Sequence, residues 1–210
     1  MNMKKITSLL ILASLTLAGF AQVSKDNYKN AFTELNQMMN GEIPISFKRA
    51  VFVTENAYNE NKLDYEKDYL NQINELVRLT KILVAQDGLN YSYKDRQQIL
   101  LSASIFKIIR DSLVFDIPKQ NLTAIKYPFK YDIQDFWGEK DWTKMFVTKL
   151  LQTSTGNCHS MPALYKILAD ELGVNAWLSL APNHTYIKQW NDKTGWYKYG
   201  ANYRSISLRC

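Results

Sequence analysis

One cysteine and one histidine in the last third of the chain have the types and spacing that thiol chemistry requires. Cys158 follows Gly156-Asn157 at the expected start of a helix, and His184 lies 26 residues later. The positive end of a helix dipole favours a thiolate, and N–H groups of the first helical turn can bind an oxyanion. An imidazole beside the sulfur would accept and return a proton. We therefore expect Cys158 to be the nucleophile and His184 its general base.

Other roles for the same residues stay open at this point. Cys158 could be an inert buried thiol, as free cysteines often are, or it could form a disulfide with Cys210 in an oxidising compartment. His159 follows the cysteine directly and would point to another side, so it is a poor base for its neighbour. A metal site formed by Cys158, His159 and His184 would have three ligands and no acidic fourth residue. We therefore expect no metal and no cofactor.

The elements that must position this pair follow from the periodicity of the apolar residues. Apolar side chains at spacings of three and four predict four successive helices, at residues 24–40, 46–58, 63–85 and 92–118. An irregular stretch rich in aromatic residues follows at residues 119–140.

The pattern changes after residue 140. Asp141 is expected to cap a helix, and a second helix runs from Cys158 to Gly173. Three segments then alternate as strands do, at residues 176–180, 184–188 and 196–199. The sequence thus predicts an α+β protein with a helical N-terminal region (22–140) and a core (141–210) in which the cysteine-bearing helix packs on a small antiparallel sheet.

Residues 1–21 have the pattern of a secretory signal peptide. Lys4 and Lys5 precede an apolar run, and Gly19-Phe20-Ala21 places small residues before a cut at Gln22. The run falls short of the ~20 residues that cross a bilayer. We therefore expect a secreted or periplasmic protein of the bacterial envelope, without a membrane partner once the signal is removed.

The charge distribution bears on the class of partner. Removing Lys4 and Lys5 with the signal lowers the formal net charge from +6 to +4. Basic residues are interspersed with acids, as in Glu66-Lys67-Asp68, so no basic run tracks a phosphate backbone. We expect a peptide or protein substrate and no nucleic acid, and the oligomeric state stays open.

The cysteine-bearing region resembles the transglutaminase-like superfamily of papain-like cysteine enzymes over about 60 of the 210 residues. The resemblance rests on Gly156-Asn157-Cys158-His159-Ser160, the helix ending Leu168 to Val174, the strand Ala176 to Leu180, and Asn183 to Ile187. It implies Cys158 as nucleophile, His184 as base, and acyl transfer through a thioester.

The resemblance also suggests supporting residues. The family places an Asp or Asn on the next strand a few residues after a Trp, here Trp196, which makes Asn202 the third catalytic candidate and Asp192 in the preceding turn its alternative. An upstream Gln contributes to the oxyanion hole of papain-like enzymes, and Gln152 is the matching residue. The family continues for more strands, so we expect the core that ends at Cys210 to be a shortened or divergent version.

These inferences lead to two functions from different classes. The first is a secreted thiol hydrolase that cleaves peptide or protein amides, with water preferred over an amine as acyl acceptor. The alternative is a catalytically inactive transglutaminase-like module that binds a peptide or a cell-envelope partner.

Overall fold

A computed structural model describes residues 25–117 and 122–199. The chain divides into two compact units, of which the first ends at Asp64 and the second begins at Tyr65. The expected signal peptide (1–21), Asn202 and Cys210 lie outside the described residues, so the sequence-based statements about them stay predictions.

The first unit is a pair of helices. Helix α1 covers residues 25–39 and helix α2 covers Phe47–Tyr58. Ser46 begins α2 by accepting a hydrogen bond from the backbone N–H of Arg49, as a serine N-cap does. Phe52 and Val53 of α2 are buried. Both helices lie within a residue of the ranges that the periodicity predicts.

The second unit opens with helices that carry one apolar face each. A π-helical turn at Glu66–Leu70 leads into α3 (Asn71–Gln86), and α4 covers Arg96–Arg110. Buried apolar residues recur along both helices at helical spacing. Asp87, the residue directly after α3, adopts the left-handed conformation with φ of 34° and ends the helix.

The expectation that the fourth helix continues to residue 118 is wrong. Helix α4 ends at Arg110, and strand β1 (Leu113–Ile117) pairs antiparallel with β2 (Leu122–Lys126). Within β1, Val114 is exposed and its neighbour Phe115 is buried, which is the two-residue period of a strand. So short an apolar run satisfies a helical and an extended pattern equally well.

Short elements then lead to the cysteine. Strand β3 (Lys130–Tyr131) pairs parallel with β4 (Thr155–Gly156), and between them lie a 3₁₀ helix at Trp142–Met145 and helix α5 (Val147–Thr153). Asp141 caps the 3₁₀ helix by accepting a hydrogen bond from the N–H of Thr143. The single helix expected after Asp141 is therefore divided in two.

The last part of the second unit has the expected order of one helix and three strands. Helix α6 covers Ser160–Glu171, and strands β5 (Trp177–Ala181), β6 (His184–Asn191) and β7 (Gly195–Tyr199) form an antiparallel sheet in that order. Helix α6 packs on β5 and β6. With its helices and small sheets, the chain is α+β, as predicted.

None of the helices in the described ranges has the length and apolar character needed to cross a membrane.

Candidate functional site

The loop before α6 is held by its own side chains. Asn157 is fully buried, and its side-chain oxygen accepts hydrogen bonds from the N–H groups of His159 (2.9 Å) and Ser160 (3.3 Å). Its amide nitrogen donates to the carbonyl of Phe136 at 3.1 Å. The hydroxyl of Ser160 donates to the carbonyl of Lys144 and accepts from the N–H of Asn157. Asn157 therefore fixes the turn that leads into α6 and satisfies the N–H groups of His159 and Ser160, so these two donors are already paired.

The segment beside this loop is fixed by an ion pair. The backbone N–H of Asp132 donates to the carbonyl of Gly156 at 2.7 Å, and its carboxylate pairs with Lys144 at 2.6 Å. The Lys144 ammonium and backbone N–H groups lower the pKa of Asp132 below its usual value. The carboxylate is thus ionised and structural at neutral pH.

Cys158 lies inside this frame as a free thiol. The residue is 7 % exposed and stands two positions before the first residue of α6. Its position at the positive end of the helix agrees with the sequence-based expectation, but its sulfur is largely shielded from solvent.

His184 is the first residue of β6, where it pairs with Ala181 across the hairpin. Along β6, Thr185, Ile187 and Gln189 are buried, whereas His184 and the other alternating residues are more accessible. The His184 ring lies parallel to that of Tyr186, with ring centroids 6.3 Å apart. Because successive side chains of a strand point to opposite faces, His184 lies on the outer face of the sheet.

The predicted pair makes no direct contact through a hydrogen bond. The buried face of β6 is the one that faces α6, because Tyr165 of that helix donates a hydrogen bond to Gln189 at 3.1 Å. His184 alternates with the residues of that buried face along β6. Within the described residues, no hydrogen bond joins the thiol to the imidazole.

The supporting candidates within the described residues are exposed and make no hydrogen bond to the thiol. Gln152 is exposed on α5, and Asp192 is exposed in the turn between β6 and β7, where its N–H donates to Asp95 at 2.9 Å. His159 is exposed. The described residues contain no group of three or more His, Cys, Asp or Glu side chains able to hold a metal ion.

A cluster of aromatic and basic side chains occupies the outer face of the sheet, opposite the buried residues of β6. Trp177, Trp190 and Trp196 are 46 %, 51 % and 51 % exposed. Their rings touch edge to face, with centroids 5.3 Å apart for Trp177 and Trp196 and 5.6 Å apart for Trp190 and Trp196. Three large aromatic side chains thus form one continuous surface that is accessible among the described residues, and so large an exposed apolar patch is uncommon.

Two lysines lie within this aromatic surface. Lys188 and Lys198 face each other in the register of β6 and β7. The Lys188 ammonium lies 4.2 Å from the centroid of the Trp196 ring, and the Lys198 ammonium lies 5.9 Å from that of Tyr186. We call this surface the outer face; its aromatic and basic side chains are Trp177, His184, Tyr186, Lys188, Trp190, Trp196 and Lys198.

No protein-family model, curated protein or solved structure matches this chain.

Contacts on the inner face of the sheet, where Gln189 is buried, determine which side chains lie on the outer face. Gln189 is 1 % exposed, donates to the Ser102 hydroxyl of α4 at 2.9 Å, and accepts from Tyr165 of α6 and Tyr197 of β7. This network joins the sheet to two helices, so the register of β6 is fixed and the alternate residues are directed outward.

The sequence reasoning missed the outer face as a site. The resemblance uses Trp196 only as a marker of the family pattern. The signal was nevertheless present, because Tyr186, Lys188 and Trp190 alternate with Thr185, Ile187 and Gln189 along β6. The same two-residue alternation in the neighbouring strands places Trp177, Trp196 and Lys198 on the same side of the sheet.

The first unit contains a small cavity. It has a volume of about 110 Å³ and lies between α1, α2 and the residues after α2. Asn27 lines it, and the amide nitrogen of that side chain is buried without a hydrogen-bond acceptor. A cavity of this size has room for a few water molecules.

Proposed function

We propose that this chain is an exported, non-catalytic binding module with a transglutaminase-like core, and that its ligand is a peptide or a cell-envelope polymer. The observation that carries the proposal is the outer face, where three contacting tryptophans and two lysines are accessible on one side of a sheet held rigidly from the other side. Aromatic side chains of this kind bury much area at little entropic cost when a ligand covers them.

The order of elements supports a transglutaminase-like core. A Gly-Asn-Cys loop leads into α6, and strands follow the helix, with His184 as the first residue of the second strand. This is the order that the resemblance implies, and it extends over the region from which the resemblance was drawn.

The same loop favours binding over catalysis. Asn157 and Ser160 use their polar atoms to fix the start of α6, and the His184 ring stacks with that of Tyr186, whereas no hydrogen bond joins it to Cys158 within the described residues. A general base must lie within hydrogen-bond reach of the proton that it removes. The residues that a thiol hydrolase would need therefore have structural or ligand-facing positions.

Sedimentation with purified bacterial peptidoglycan sacculi, which carry both glycan and peptide, tests the proposal. We expect the purified protein to sediment with the sacculi, and the double variant Trp190→Ala/Trp196→Ala to stay in the supernatant. Trp142→Ala is the matched control, because Trp142 is 55 % exposed but lies outside the sheet. Absence of sedimentation, or equal loss in the control, would contradict the proposal.

The thiol hydrolase is the second candidate, favoured by the position of Cys158 just before α6. Labelling with iodoacetamide across pH separates the two functions. For the binding module we expect slow labelling of the buried Cys158, at a rate that His184→Ala leaves unchanged. Selective labelling of Cys158 below pH 7 that is lost in His184→Ala would instead establish an activated pair and overturn the non-catalytic proposal.

A further inference from the structure

We infer that the ligand of the outer face is an acidic polysaccharide, whose sugar rings contact the tryptophans while its carboxylates bind Lys188 and Lys198. This inference rests on the proposed binding function and specifies its ligand. The aromatic surface, the charge of the face and the pairing of the two lysines each contribute a step.

The tryptophans form a trough rather than a flat platform. Trp177 stands at 71° and Trp190 at 83° to the ring of Trp196, which contacts both. A sugar ring presents weakly polar C–H groups along its face and hydroxyls at its rim, so a trough with apolar walls and polar ends suits it. Indole rings provide such walls, and each also carries one N–H donor.

The outer face carries positive charge alone. Its outward positions on β5 are Trp177, Ser179 and Ala181, and none of the outward positions described for β5, β6 and β7 holds an aspartate or glutamate. Lys188 and Lys198 form no ion pair within the described residues. The face therefore complements an anionic ligand.

The pairing of the lysines strengthens this point. Lys188 and Lys198 are directly opposite each other on β6 and β7. Like charges at directly opposed positions of an antiparallel pair destabilise it. Their ammonium groups lie over different rings, Trp196 and Tyr186, and cation–π contact offsets part of the repulsion. Carboxylates of a bound ligand would neutralise the two ammonium groups, so ligand binding would also relieve the remaining repulsion.

Other anionic polymers fit the face less well. An acidic peptide would neutralise the lysines but leave the three tryptophans exposed to water. A nucleic acid needs cations that follow its backbone and rings that are open for base stacking, whereas the face has two adjacent lysines and rings set at steep angles to one another. An acidic polysaccharide uses both the rings and the charges.

Isothermal titration calorimetry on the purified protein tests the inference with four probes. Tetragalacturonate has rings and charge, its methyl ester has rings without charge, hexaglutamate has charge without rings, and oligo(dT) is the nucleic-acid arm. We expect tetragalacturonate to bind at least ten times more tightly than each of the other three. We also expect its binding to weaken as NaCl is raised, because exposed charges are screened.

Two variants assign the binding to the face. Lys188→Gln/Lys198→Gln and Trp177→Ala/Trp190→Ala should each weaken tetragalacturonate binding at least tenfold, whereas Lys130→Gln and Trp142→Ala should leave it unchanged. Urea unfolding of each variant shows whether it is folded, and the lysine pair keeps the test valid if the tryptophan variant is not.

The outcomes distinguish the inference from the proposed function. Equal or tighter binding of hexaglutamate, of the methyl ester or of oligo(dT) would overturn the acidic polysaccharide. Failure of tetragalacturonate to bind, with sacculi still bound through the tryptophans, would overturn the ligand class and leave the binding function standing. If the protein binds neither sacculi nor tetragalacturonate, the binding function and the ligand class are both overturned.

Discussion

At Gly156 the absence of a side chain is a packing requirement. A Cβ atom at this position would overlap the Ser160 hydroxyl and would lie 2.9 Å from the Cδ1 atom of Leu150. Leu150 is fully buried, so neither neighbour can withdraw freely. Overpacking of this kind costs about 1–3 kcal/mol. The glycine that resembles part of a catalytic motif thus has a sufficient explanation in the packing of α5 against the start of α6.

Gly156→Ala should therefore lower the free energy of unfolding by about 1–3 kcal/mol, measured by urea denaturation. Gly88→Ala is the control, because nothing lies within 4 Å of the Cβ that it would add. We expect Gly88→Ala to be neutral or slightly stabilising, since it reduces the entropy of the unfolded chain. Equal stability of Gly156→Ala and the native chain would show that the loop relaxes around a methyl group.

Lys126 should make the free energy of unfolding vary with pH in the alkaline range. Its buried ammonium nitrogen has no hydrogen-bond acceptor among the residues that the structure describes, and it lies over the ring of Phe129 at 4.4 Å. Burial lowers the pKa of Lys126 to about 8, and the nearby Asp111 opposes part of this effect. Below pH 8 both the folded and unfolded states carry the proton. Between pH 8 and the ordinary lysine value of about 10.4, the unfolded state binds more protons, so stability should rise with pH.

The unfolding free energy measured between pH 7 and pH 10 should show this rise, and Lys126→Met should flatten it. Lys130→Met, which removes an exposed lysine, should keep it. Above pH 10 the trend should reverse, because burial and the hydrogen bond to Asp95 raise the pKa of Tyr91 to about 12 and the folded state then keeps its proton. A native profile that is flat between pH 8 and pH 10 would refute the assignment to Lys126.

At the scale of the elements, Gln189 joins β6 to α4 and α6. Gln189→Leu keeps the volume approximately but removes the donor to the Ser102 hydroxyl and the acceptor that Gln189 offers to the Tyr197 hydroxyl. Each buried polar group left unpaired costs about 1–3 kcal/mol. We expect a loss of about 2–4 kcal/mol in the free energy of unfolding.

Gln152→Leu is the matched control for that experiment, because Gln152 is exposed on α5 and surface substitutions usually change stability by less than about 0.5 kcal/mol. A comparable loss in both variants would mean that Gln189 has no special role in holding the sheet.

The elements also show where sequence patterns suffice. Periodicity predicts helices α1 and α2 within one residue and strands β5 to β7 within three residues at each end, because each has one buried and one exposed face. The helix expected at 63–85 is found as the π-helical turn Glu66–Leu70 followed by α3 (Asn71–Gln86). The strand Leu113–Ile117 was predicted as helix, since five mostly apolar residues do not distinguish the two periods. For the candidate site, the sequence identifies Cys158 and His184 but not the face of the sheet on which the histidine lies. That face depends on register, which Gln189 fixes through contacts with residues such as Ser102, far away in the chain.

At the scale of the whole molecule, we expect the protein to be exported, so that the outer face would meet its proposed ligand outside the cytoplasm. Expressed in a bacterium with the full sequence, the protein should accumulate outside the cytoplasm. We expect the intact mass of a chain that begins at Gln22, because an apolar run after Lys4 and Lys5 and small residues before Gln22 are the pattern of a cleaved secretion signal. Replacing three leucines of that run by glutamine should keep the protein uncleaved in the cytoplasm; an unprocessed native chain would contradict the prediction.

The contacts among Trp177, Trp190 and Trp196 have an optical consequence. Three of the five tryptophans of the chain lie within about 6 Å of one another's ring centres through Trp196. Electronic transitions of indoles held this close and at steep angles couple, which splits the absorption band into two components of opposite sign in circular dichroism. The folded protein should show such a couplet, and Trp196→Phe should abolish it. The molecule thus carries an intrinsic spectroscopic reporter on the very surface where a bound polymer would disturb it.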